Sequence, residues 1–101
     1  PKKIATFKPQ ELANISWAFA LAGVPASALF EAVAAEAPNK MAAFRAQDLS
    51  NLVKAFATAG VAAPALFEYV AVEASTRVAT FEPQELANTV WAFSTAGVSA
   101  P

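Results

Sequence analysis

Gln10, Asn14 and Trp17 stand at intervals of four and three, and Leu21 follows at four. That spacing puts all four on one stripe of an α-helix. The stripe returns as Gln47, Asn51, Lys54 and Thr58, and again as Gln84, Asn88, Trp91 and Thr95. Gln and Asn side chains each offer a donor and an acceptor, an indole offers a stacking plane, and an ammonium can meet a phosphate. These are the residue types with which helical repeats read single-stranded RNA one base per unit. They suit an extended peptide equally, with amide side chains holding its backbone and Trp flanking it. Packing offers a third account, in which the Asn side chains bond a neighbouring unit and the indoles fill space between helices. Trp17, Lys54 and Trp91 share one register position, and a position that takes both Trp and Lys fits an open surface better than a closed core.

A second set of cations lies in the turns. Lys40 and Arg77 occupy matching turn positions, Arg45 and Lys8 precede first-helix starts, and Lys2 and Lys3 lie upstream. Together they sketch a basic edge, with Lys40, Arg45 and Arg77 as candidate phosphate contacts; Glu82 interrupts it at the Lys8/Arg45 position. The net charge of −1 supplies no global attraction to nucleic acid or to an anionic membrane.

Catalytic chemistry finds little here. With no His and no Cys, zinc sites, disulfides and thiol or imidazole catalysis are excluded. There is no Gly-rich phosphate loop, and helix starts and solvent faces account for the carboxylates. The expectation is a chain that is not an enzyme, with no cofactor and no metal.

The elements that must position these residues follow from an internal repeat. FKPQELANISWAFALAGV from Phe7 returns as FRAQDLSNLVKAFATAGV from Phe44 and FEPQELANTVWAFSTAGV from Phe81, each 37 residues on. A period of about 20–50 residues marks an array of supersecondary units that cannot bury their apolar faces alone. Units span 7–43, 44–80 and a partial 81–101, about 2.7 in all, with 1–6 as the tail of a preceding unit. We expect one domain over 1–101, a fragment of a longer array whose adjacent repeats are its natural neighbours. Each unit should hold a first helix from near Lys8 to Gly23, where Gly adopts the left-handed closing conformation. Pro9 suits its first turn, and Glu11, repeated as Asp48 and Glu85, complements the helix dipole. Leu12, Ile15, Phe19 and Ala22 should form its core side in every unit, with Ser16, Val53 or Val90 flanking. A second helix should run from about Ala26 to Ala37, repeated from Ala63 to Ala74, burying Leu29, Phe30 and Val33 and then Leu66, Phe67 and Val70. Pro38 and Asn39, then Ser75 and Thr76, should turn the chain into the next unit.

The expected fold is therefore all-α, a right-handed α-solenoid of antiparallel helix pairs. An apolar content of 56%, with Ala at more than a quarter of all positions, fits closely stacked helices. The uncharged run from Leu12 to Phe30 has the length of a membrane span, but Gly23, Val24 and Pro25 break it and its counterpart holds Lys54, so no span is expected.

The motifs LANISWAFALAG, LSNLVKAFATAG and LANTVWAFSTAG, at this period, resemble those of the octotricopeptide and heptatricopeptide family of helical-hairpin repeats. The resemblance covers the whole chain. It implies an α-solenoid in organellar RNA metabolism, located in chloroplast or mitochondrion, with base-reading positions on the first-helix face at Asn14, Trp17, Asn51, Lys54, Asn88 and Trp91. The expected partner is single-stranded RNA, and the alternative is an extended peptide or a place as a scaffold subunit in a larger assembly.

Overall fold

A computed structural model describes residues 2–97; Pro1 and the last four residues of the third unit, 98–101, lie outside the described residues, as do the side chains of Lys2 and Lys3. Within it the chain is all-helical. Five α-helices run in order: α1 (Pro9–Ala22), α2 (Ser27–Glu36), α3 (Ala46–Ala59), α4 (Pro64–Thr76) and α5 (Pro83–Ala96), with short 3₁₀ segments at Lys2–Thr6, Ala37–Ala43 and Val78–Thr80. None of the described helices is long and apolar enough to cross a membrane.

The first helices α1, α3 and α5 start and stop by the same local chemistry. Lys8, Arg45 and Glu82 hold the N-cap positions in extended backbone conformation, and none of their side chains accepts a helix N–H. The carboxylate three residues on reaches back instead. Glu11 accepts the Lys8 N–H at 2.8 Å, Asp48 the Arg45 N–H at 3.1 Å and Glu85 the Glu82 N–H at 2.8 Å. This is the reciprocal half of a capping box, and it satisfies a donor that the helix cannot. Each helix ends at a glycine with positive φ, 67°, 70° and 73° at Gly23, Gly60 and Gly97.

The second helices differ in length for a covalent reason. Proline at position 38 lacks an N–H and disfavours helix before it, so α2 stops at Glu36 and gives way to a 3₁₀ segment. The matching residue in the next unit is Ser75, which leaves the backbone free. Accordingly α4 continues to Thr76, and Ser75 and Thr76, expected in the turn, lie inside the helix and donate to Ala71 O and Glu73 O.

Packing follows the repeat. The first helix α1 packs on α3, and α3 on α5. The Phe30 ring of α2 meets Phe56 of α3 edge-on at 5.0 Å, and Phe67 of α4 meets Phe93 of α5 at 4.9 Å. Thus the second helix of each unit is keyed into the first helix of the next. The expected second-helix stripes are buried, with Leu29 only half so.

The first-helix core departs from a single shared stripe. In α3, Leu49, Leu52 and Phe56 are buried as expected, but Ala59 is exposed, and Ser50, Val53 and Ala57 on the adjoining flank are buried too. In α1, Leu12 is buried, Ile15 and Phe19 are half-buried and Ala22 is exposed. In α5, Thr89 and Phe93 are buried, Leu86 is half-buried and Ala96 is exposed. A helix with neighbours on both sides buries two flanks, whereas one with a single first-helix neighbour buries one.

Candidate functional site

The polar stripe is the side of α3 that packing leaves open. Every residue of α3 is buried except Gln47, Asn51, Lys54, Thr58 and Ala59. Two flanks of the helix are occupied by α1 and α5, and its base by α4, so the remaining side carries the residues expected there. On α1 the counterparts are Gln10 and Asn14, both exposed, and Trp17, half-buried against the core. On α5 they are Gln84, exposed, Asn88, half-buried, and Trp91, 46% exposed. Among the described residues, no side-chain hydrogen bond ties Asn14, Asn51 or Asn88 to a neighbouring unit.

Adjacent units meet across this stripe at one register position. Lys54 Nζ lies 4.7 Å from the centre of the Trp17 ring. A cation over an indole face is attracted by the ring quadrupole, worth about 0.5–1 kcal/mol at an exposed site. The contact lays the lysine stem along the row and keeps its ammonium at the surface. In the next unit Trp91 has no such cation among the described residues. The row therefore reads, from one end, an indole with a lysine on it and then an indole that is 46% exposed.

The turn cations are arranged differently. Lys40 Nζ donates to Ala5 O and to Phe7 O, both at 2.7 Å, and lies 3.4 Å from Glu36 Oε2. Arg77 repeats the motif one unit on, with Nη2 3.4 Å from Met41 O and Nε 3.1 Å from Glu73 Oε2. The Arg77 Nε–H is not aimed at that carboxylate, so this pair is a contact of charges without a hydrogen bond. Both side chains reach back one unit and bind its turn. Arg45 is held by Asp48, with Nε and Nη2 each 3.1 Å from a carboxylate oxygen. That hydrogen bonding, and then the charge of Asp48, raises the Arg45 pKa above its ordinary value. Of the three candidate phosphate contacts, then, all have partners within the chain.

Of the residues expected to flank the first-helix core, Ser16 and Val53 are buried and Val90 is 64% exposed, because no described helix packs on that side of α5. The rest of that flank, the columns Ala13/Ser50/Ala87 and Ala20/Ala57/Ser94, was not anticipated, and its signal is a small residue in every unit. Among the described residues no group of three or more carboxylates is placed to hold a metal ion. No family model, no curated protein and no solved structure matches this chain.

Proposed function

We propose that this chain is a segment of a right-handed α-solenoid of the octotricopeptide-like kind, which binds single-stranded RNA along the open stripe of its first helices. The observation that carries the reading is the stripe itself: an exposed or half-buried Gln, Asn and Trp or Lys in each unit, on the one side of α3 that packing leaves free. A ligand whose own chemistry repeats, one base per unit, matches a surface that repeats in this way. Trp91, exposed, offers an indole for stacking, Lys54 is the cation of the stripe, and Asn14, Asn51 and Asn88 present amides to base edges. Gln10, Gln47 and Gln84 border the same track. An organellar location follows from the resemblance alone.

One observation favours a second reading. Lys40, Arg45 and Arg77, the candidate phosphate contacts and half of the six cations of the turn edge, are engaged with carbonyls or carboxylates of this chain. A surface of amides and indoles with little free charge suits an extended peptide or a neighbouring subunit of a scaffold.

Fluorescence anisotropy against a random single-stranded RNA pool, titrated across salt, separates the two. The RNA reading expects affinity that falls with salt, and a further loss of about 5- to 150-fold in Trp91→Ala, the equivalent of about 1–3 kcal/mol of stacking. Lys54→Ala should flatten the salt slope by about one phosphate contact. Absence of binding at low salt overturns the RNA reading and leaves the peptide reading standing.

A further inference from the structure

Two kinds of contact hold cations in this chain. Lys40, Arg45 and Arg77 are engaged by carbonyl or carboxylate oxygens, which occupy their N–H groups or offset their charge. Lys54 is held by an aromatic ring instead. Its Nζ lies 4.7 Å from the centre of the Trp17 ring, in the preceding unit. Among the described residues its ammonium donates no hydrogen bond to the protein and joins no ion pair. An indole face attracts the charge through its quadrupole and offers no oxygen to accept the N–H groups, so these stay available to an anion. Lys54 is thus held in place without being neutralised.

The same contact bears on what Trp17 can do. The indole is half-buried, packed against the core, and the face beneath Lys54 is covered. A base stacking there must first displace the lysine. We propose that Trp17 is a positioning residue and not a stacking platform: it lays Lys54 across the junction between the first and second units and fixes the ammonium where it meets a phosphate of single-stranded RNA. This rests on the RNA reading above, and it assigns a backbone contact to that junction in place of a base. The gain is one of preorganisation. Immobilising a rotamer-rich side chain on binding costs about 2- to 12-fold in affinity, and a lysine already laid on an indole is spared part of that loss. Because α1 and α3 pack on each other, the contact is interior to the row and needs no further unit to complete it.

A double-mutant cycle on RNA binding tests it, read by fluorescence anisotropy of the full chain against a random single-stranded RNA pool, with helix content checked by circular dichroism. Trp17→Leu should weaken binding about 2- to 12-fold. In a Lys54→Met background, where an unbranched stem still covers the indole but the charge is gone, Trp17→Leu should change affinity by less than about 2-fold. Lys54→Arg, which keeps a cation able to lie on the ring, should restore the effect of Trp17→Leu. A stacking platform gives another result, a loss of about 5- to 150-fold for Trp17→Leu in both backgrounds. Equal losses with and without the Lys54 charge therefore overturn the proposal. Nuclear magnetic resonance on the unsubstituted chain covers the case in which Trp17→Leu loses helix. Lys54 side-chain protons, moved upfield by the ring current of Trp17, should stay there at saturating RNA, and their return to ordinary lysine positions on binding overturns the proposal. A wild type that binds no RNA at low salt overturns the RNA reading and this assignment with it, whereas RNA binding with equal losses removes only the role of Trp17.

Discussion

Lys40 and Lys54 show how position decides what one side chain does. Lys40 points inward to two carbonyls of the preceding turn, within reach of Glu36, whereas Lys54 lies along an indole at the surface. Removing Lys40 leaves Ala5 O and Phe7 O without their donor and Glu36 without its cation. Hydrogen bonds to charged groups contribute about 1.5–3 kcal/mol each when their loss strands a buried partner, and the partial exposure here puts Lys40→Met at the lower end, about 1–2 kcal/mol. Lys54→Ala should cost about 1 kcal/mol or less. Urea unfolding midpoints of the two variants check the order. The same pair divides function from stability: Lys40→Met should leave the salt slope of RNA binding as it is, and Lys54→Ala should lower it.

At the scale of the element, the first helices owe their boundaries to two devices that recur in every unit. The carboxylate at the third helical position accepts the N-cap N–H, and a left-handed glycine closes the other end. A Cβ built on Gly60 meets no atom within 4 Å, so the cost of Gly60→Ala is one of backbone conformation alone. That cost is about 1–2 kcal/mol, and Gly60→Asn should recover part of it because Asn tolerates the left-handed region. Thermal or urea melts of the two variants measure the difference. The second helices carry a contrasting lesson, since one proline at 38 shortens α2 while serine at 75 lets α4 run on.

At the scale of the whole molecule, equivalent residues have unequal fates. Val53 and Val90 occupy the same register position, yet the first is fully buried between helices and the second faces solvent. Val53→Lys places an unpaired ammonium in the core and should cost several kcal/mol or abolish folding, a penalty typical of buried unpaired charge. Val90→Lys should change stability by no more than about 0.5 kcal/mol. Circular dichroism melts of the two variants, identical in composition, read this contrast directly. Met41 and Val78 repeat the pattern in the turns, 7% and 52% exposed, because α4 covers the first and no described helix covers the second.

What could be read from the chain itself is what neighbours in sequence decide. The 37-residue period, the helix limits at Pro9, Gly23, Gly60 and Gly97, the Phe30 and Phe67 stripes and the open Gln-Asn-Trp/Lys side all rest on local propensity and helical spacing, which repeat when residues repeat. Tertiary structure alone settled which copy of a repeated residue is buried, that Lys40 and Arg77 bind the turn of the previous unit, and that Lys54 lies on Trp17. Nearly identical segments fold into nearly identical helices, but burial, charge pairing and an open face depend on what lies beside each helix, and that changes from the first unit to the last.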